Sequence, residues 1–560
     1  MARRIISVVI LLGLAVFLTF TALENTQAKS SPGAALAGQV SSREEGPMEG
    51  VLVSAKKDGS TVTITVVSDA QGRYSFPWTK MEPGRYSVRI RAVGYDLDDP
   101  GPIEITARKT AQRNLKLVKT QDLARQLTNA EWFISWPGSR EQKMVFSECI
   151  TCHAAERIAR SHYTASDFEK VVERMRSFAS GSTPPHPVKR LHMRPPGPRT
   201  GIKPEDTEYL SSINLSKVST WEYPLKTLPR PKGRATRVIF TEYDLPRPYS
   251  SPHDVVMGPD GMAWYCDFGE QYIGMLDPKT AKVVEYSVPK TKPDFDTGMN
   301  NLEVDRQGNV WLALFYQAGL AKFEPKTQKF QTWAIPKDLD SDTRRLTFFA
   351  PLYYPVDGKV WLGGGMDKEF RLDLQSGQWE TLEESRDMPK GSPVAARPHG
   401  IYGLSSDSKN NLYEFDIASE YIVKVDAKTL RATYYQTPTF NSGPRRGHMD
   451  SKDRLWFAEH GANKIAMFDT RTEQFQEWPV PTPFSNPYDA VLDKNEEVWM
   501  GGMSSDRVVR LNSKTGEMTE YLLPRSTNIR RVNVDNSTTP VTFWVGNNDA
   551  ASIIKLEPLD

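Results

Sequence analysis

From residue 238 onward the chain repeats itself about every forty to fifty residues, and a repeat of that length restricts the fold more than any other feature here. Each unit has an entry turn, an apolar strand with an aromatic anchor, a strand ending in Asp or Asn, and a closing strand. The anchors are Trp264, Trp311, Trp361, Tyr413, Trp456, Trp499 and Trp544, and closing strands end at Pro289, Pro336, Pro438, Pro481 and Pro524. The third unit is less regular and carries Gln378-Trp379 in that place. The last unit stops at the C-terminus one strand short. The segment 238–246 reads like the other closing strands and ends at Pro246, so it supplies the missing one. Joining the first and last strands in one blade removes open sheet edges and locks the ring. The expectation is a seven-bladed β-propeller over 238–560.

Ahead of the repeat stands Cys149-Ile150-Thr151-Cys152-His153. Two thiols three apart with a histidine directly after are what covalent haem attachment needs. The sulfurs bond the porphyrin and His153 becomes the proximal iron ligand. Three other readings compete: a redox Cys pair, a zinc site and a local disulfide. The first expects a thioredoxin-like βαβ context, whereas the flanks here are helical. Zinc needs further ligands, and no second Cys pair is present. Electron transfer favours a second axial ligand, and an irregular loop at 181–200 can bring one over the far haem face. Met193 is the expected ligand, with His192 and His186 as rivals in the same loop. Met175 is expected in the core and His162 at the surface.

The N-terminus agrees with that chemistry. Arg3 and Arg4 precede an apolar run from Ile5 to Phe20, and the polar stretch to Ala28 completes a secretory signal, expected at 1–28. An uncleaved membrane anchor is the alternative. The expected location is periplasmic or secreted. Cysteines number three, so Cys266 is left over and reads as a buried small hydrophobe. Lys and Arg total 71 against 69 for Asp and Glu, a balance that gives no reason to expect nucleic acid. With 40 Pro, 37 Gly and 13 Trp and few long helical patterns, the chain should be mainly β and multidomain.

Residues after the signal alternate in short stretches broken by Asp69-Ala70-Gln71-Gly72 and Glu82-Pro83-Gly84, the spacing of a small β-sandwich. Gly38-Gln39-Val40, Gly72-Arg73-Tyr74, Pro83-Gly84-Arg85-Tyr86 and Val93-Gly94-Tyr95 make 36–118 resemble the carboxypeptidase regulatory-like domain. The resemblance implies a non-catalytic module with carbohydrate, cell-envelope or partner contacts. From Thr120 the pattern turns helical. Ser166-Asp167-Phe168-Glu169 suggests a capping box for a helix reaching Phe178. Helix, haem motif, helix, irregular loop and helix together resemble a small α-helical c-type cytochrome over 125–216. A basic, proline-bearing linker follows at 217–237.

Gly258-Pro259-Asp260-Gly261-Met262-Ala263-Trp264 and Leu455-Trp456-Phe457-Ala458-Glu459-His460-Gly461-Ala462-Asn463 make the repeat resemble virginiamycin B lyase (streptogramin lyase) propellers. In that family the catalytic turn reads Glu-Pro-His, with the histidine as base and the glutamate helping to hold magnesium. The matching turns here read Ser251-Pro252-His253 and Arg397-Pro398-His399, so the family's pair is broken. A divalent cation in the channel could still be held by Asp267, Asp416 or Glu459. The candidate catalytic residues are His253, His399, His448, Glu459 and His460, which recur at blade positions able to face one channel.

These features lead to the expectation of an exported haem c protein in electron transfer. It would be an oxidoreductase whose propeller binds a small-molecule substrate or a redox partner protein. A lyase-like enzyme with an accessory haem, and a non-enzymatic electron carrier or scaffold, are the alternatives.

Overall fold

The computed structural model describes residues 33–179, 181–191, 202–342, 344–347, 358–364, 368–383, 387–388, 390–396 and 399–560. The expected signal at 1–28 lies outside them, as do His192, Met193 and Arg397. Among the described residues no helix is long and apolar enough to cross a membrane. The protein is mainly β and multidomain, with an N-terminal β-sandwich and a C-terminal propeller-like region.

The sandwich forms because its alternating strands present one apolar face each. Val40, Val53, Tyr74, Phe76, Leu115 and Leu117 meet in a single buried core. Its second sheet does not end at the domain boundary. Val62–Val67 pairs antiparallel with Val238–Asp244, which on its other side pairs with Ser552–Pro558. Blade 7 and half of the sandwich are therefore one eight-stranded sheet. Apolar side chains cross the junction both ways. Ile239 belongs to the sandwich core, while Leu52 and Val67 pack among Trp499, Phe543 and Leu556 of the last blades.

The pairing of Val238–Asp244 with Ser552–Pro558 closes the ring as the sequence leads one to expect. Among the described residues, blade 3 has three strands, Lys359–Gly363, Lys368–Asp373 and Trp379–Glu383. The other blades have four, counting Val238–Asp244 in blade 7. Inner strands are buried and outer strands half-exposed, as Pro252–Met257 and Val283–Ser287 of blade 1 illustrate. The aromatic anchors recur because each fills an inter-blade core and, in several blades, pins a turn. The indole N–H groups of Trp311, Trp456 and Trp499 donate to Asp305, Asp450 and Asp493 at 2.9, 3.1 and 2.9 Å.

Between sandwich and propeller lies a helical segment. Its helices are α1 (Asn129–Ser135), α2 (Arg140–Met144), α3 (Ala155–Ala159), α4 (Ala165–Arg176) and α5 (Pro204–Ile213). Residues 149–153 begin within the 3-10 turn Val145–Thr151 and lead towards α3. Helix α4 starts earlier than the sequence suggested: Thr164 and Asp167 form the capping box, not Ser166 and Glu169. Met175, expected in the core, is instead 38% exposed. His162 is exposed, as expected. The stretch 217–237 is laced down rather than slack. Trp221 packs edge-on against Trp132, and Leu228 N donates to Glu131 at 2.8 Å. Arg230 then reaches back to Glu45 of the sandwich at 2.5 Å.

Candidate functional site

Four blades break register at the start of the inner strand. The irregularity falls between Pro252 and Asp254, Ile401 and Gly403, Pro444 and Gly447, and Pro487 and Ala490. A bulge re-aims side chains that a regular ladder would bury between sheets. The re-aimed residues are His253, Tyr402, Arg445 with Arg446, and Tyr488 with Asp489, and they converge on the channel.

Asp254 is the hub. Its carboxylate accepts from Arg446 at 2.8 and 3.1 Å, from Arg531 at 3.3 Å, from Leu302 N at 3.1 Å and from His253 Nδ1 at 2.7 Å. Burial works against a charge there, but Arg446, His253 and Arg531 outweigh it and hold the carboxyl far below the usual range. Arg531 is tied in turn to Glu303 at 2.5 Å. His253 Nε2 meets the Tyr488 hydroxyl at 3.1 Å, and the Tyr488 and Tyr402 oxygens lie 2.5 Å apart. The Arg445 guanidinium lies 4.6 Å from the Tyr402 ring and 4.1 Å from the Tyr488 ring. It also reaches His460 Nδ1 at 3.2 Å.

The five candidate residues do not form one cluster. His253 and His460 join the hub, and His448 reaches it through Asp489 at 3.1 Å. His399 stays in its own turn, with Nδ1 on Asp416 at 2.5 Å and Nε2 on the Val394 carbonyl at 2.8 Å. Strand register explains this. Pro252 pairs with Asp267 and Ile401 with Asp416, so Tyr402, not His399, occupies the place of His253. The shared Pro-His pair misleads by three residues. The Glu459 side chain is fully buried. Burial, then the nearby Glu477 charge, pushes its carboxyl up to about 8.

Asp267 and Asp416 are turn caps. Asp267 accepts from Ser250 and from the Gly269 and Glu270 N–H groups. Asp416 accepts from the Gly400 and Ala418 N–H groups. No cluster of three or more metal-ligating side chains occurs among the described residues. Cys266 is fully buried, and burial pushes its thiol well up, as befits an inert small hydrophobe.

The helical segment sits on this same end of the propeller. Ala130 N donates to the Ser504 carbonyl at 2.8 Å, Phe133 packs edge-on against Phe484, and Arg140 reaches the Gly461 carbonyl at 2.8 Å. Between Cys149 and Cys152, the Thr151 carbonyl accepts from Asn528 and from Arg530, each at 3.0 Å. The Arg530 guanidinium lies 5.6 Å from the Tyr488 ring. Gly181 presses against the Phe268 carbonyl so closely that an added Cβ would stand 2.3 Å from its oxygen. His186 stacks on Tyr249. Cys149 and Cys152 are half-buried and neither is in a disulfide. Burial lowers the His153 ring below the usual histidine range, which favours its neutral form.

Residues 389–558 match the virginiamycin B lyase family. Residues 35–118 match the carboxypeptidase regulatory-like domain, and neither match spans the helical segment. No curated protein matches the chain. A solved streptogramin B lyase structure is similar at 21% identity and TM-score 0.50, covering 58% of this chain and 100% of that one. Selenomethionine-substituted virginiamycin B lyase from Staphylococcus aureus is similar at 20% identity and TM-score 0.48, covering 57% and 99%. At such identity the first likeness speaks for the fold alone. Tyr402, Arg530, Arg531 and Asn528 escaped sequence reasoning. Tyr402 had a usable signal, since it stands where a register drawn on Asp267 and Asp416 puts His253.

Proposed function

We propose that this is an exported haem c protein that transfers electrons, an oxidoreductase whose propeller channel receives a substrate or redox partner. The observation that carries the reading is position. The Cys149–His153 motif is clamped through Thr151 to Asn528 and Arg530, beside Tyr488 and the His253 hub. The chemistry of the donor set fits haem: two thiols outside any disulfide and a neutral histidine directly after them. Cys149 and Cys152 would hold the porphyrin, and His153 with Met193 its iron. Bound haem supplies a one-electron acceptor. Around it the chain's own groups do the rest. Asn528 and Arg530 fix the motif, and the hub offers neutral His253 as a proton acceptor. Export through the segment 1–28 and carbohydrate or envelope contacts through the sandwich belong to the same proposal.

The match over 389–558 favours a second reading, a lyase-like enzyme with an accessory haem. Ser251 and Arg397 in place of the family's glutamate weigh against it, as do the turn-capping roles of Asp267 and Asp416. Acid–acetone extraction of denatured protein should leave the Soret absorbance on the polypeptide, and complete extraction of pigment would refute the haem. A substrate should then reduce ferric haem, and His253→Ala should slow that step by about two to four powers of ten. His399→Ala should not, because its ring is spent in the rim turn. Turnover indifferent to haem oxidation state and stopped by chelation would favour the lyase instead.

A further inference from the structure

The bulged residues of three blades form a single file of hydrogen bonds, Asp254, His253, Tyr488, Tyr402. Its direction follows from counting donors. Asp254 is a carboxylate and only accepts, so the 2.7 Å contact places the proton on His253 Nδ1. Burial, against the pull of Asp254, holds the ring down at about 4, so it is neutral and Nε2 is an acceptor. Tyr488 must then donate to Nε2, which leaves its oxygen to accept from Tyr402. The Tyr402 oxygen accepts from Arg445 at 3.2 Å. Exposure changes along the file. Asp254, His253 and Tyr488 are sealed, while Tyr402 is half-buried and is the outer end.

We propose that Tyr402 is the acid–base group of the channel, acting on small molecules that carry a weakly acidic hydroxyl or amide proton. To become a base, Tyr402 passes its proton to the Tyr488 oxygen as Tyr488 passes its own to His253 Nε2. The imidazolium that forms rests against Asp254. The Tyr402 phenolate then takes the proton of the bound molecule. Its O–H or N–H bond breaks, a bond to the phenolate oxygen forms, and the electron pair stays on the molecule as an anion beside Arg445 and Arg530. The charged and titratable groups around Tyr402 are Arg445 from blade 5, Tyr488 from blade 6, Arg530 ahead of the blade 7 inner strand, and His253 and His460 one contact further. Burial by itself would raise the Tyr402 phenol, but Arg445 and Arg530 outweigh it and hold it below the ordinary range. Burial and the neighbouring Tyr402 push Tyr488 well up. The negative charge therefore belongs on Tyr402, the end that a ligand can reach.

This inference rests on the channel being the substrate site, but its test needs neither substrate nor haem. The full-length protein is titrated with base while tyrosinate absorbance is followed in the near ultraviolet. One tyrosine should ionise ahead of the others, below the free value of about 10. Tyr402→Phe should remove that early step, and Arg445→Gln should raise its midpoint by about one unit. A hydroxyl with a purely structural role would titrate with the bulk or not at all. The proposal is overturned if the wild-type protein shows no early step, a result that needs no variant to fold. It is equally overturned if the early step survives in Tyr402→Phe.

Discussion

Cutting the chain after Asn548 tests whether the ring and the sandwich are one cooperative body. The cut removes Ser552–Pro558, which stands between Thr542–Asn547 and Val238–Asp244. Ile553, Ile554 and Leu556 are each 0% exposed. Burying such a side chain is worth about 1.5–3 kcal/mol, so the three together carry roughly 4–9 kcal/mol as an upper estimate. The ties of Lys80 to Glu557 and of Arg510 to Asp560 go as well, though partly exposed pairs add little. Whole domains are stable by only about 5–15 kcal/mol. The truncated protein should therefore lose the propeller's cooperative transition in urea, followed by tryptophan fluorescence, rather than fray at one blade. It should also loosen the sandwich, because Val238–Asp244 would hold Val62–Val67 while its other edge lies open. Ile554→Ala is the milder probe and should cost about 2–5 kcal/mol. A truncated protein with the urea midpoint of the full chain would refute the closure. Loss of the propeller with an unchanged sandwich would refute the coupling.

Met193→Ala should abolish a near-infrared sulfur–iron band of the ferric protein and lower its reduction potential, whereas an unchanged spectrum would move the ligand to His192, His186 or Met175. Asp254→Asn removes the buried carboxylate that Arg446 and Arg531 share and should destabilise the protein by about 3–5 kcal/mol in denaturant titration. Glu459 holds its proton more tightly folded than unfolded. Its contribution is therefore complete below about pH 4.3 and falls away as pH rises through about 8. Glu459→Gln should flatten that decline, by roughly 4–5 kcal/mol at most between the two limits, in stability measured against pH.

The sequence showed the blades because their anchors and closing prolines recur, and it showed closure because 238–246 repeats the closing pattern. The sandwich was legible for a similar reason, in turns and alternation around Gly72 and Gly84. The shared sheet was not legible. Val62–Val67 alternates like any strand, and nothing local names a partner as distant as Ile239. The site was half legible. His253, His448 and His460 were marked by residue type. Tyr402 was hidden because a bulge, not a motif, aims it. His399 was overvalued because Pro-His recurs in a different register. Glu459 carries the right chemistry in the wrong place, facing Glu477 rather than the hub.

The shared sheet also settles how the helical segment is tethered. The chain leaves the sandwich, makes the helices, and returns as Val238–Asp244 to the very sheet that holds Val62–Val67. The segment runs from Leu115–Lys119 in one sheet of the sandwich to Val238–Asp244 in the other, fastened at both ends, and is not a bead on a string. A redox module on a flexible tether works by visiting its partner, at rates set by tether length and solvent viscosity. Here the distance between motif and channel is built into backbone ladders and into the grip of Asn528 and Arg530 on Thr151. Any traffic between the two stands in place, like current between fixed electrodes, and tether length is not a variable evolution can tune without tearing the sheet.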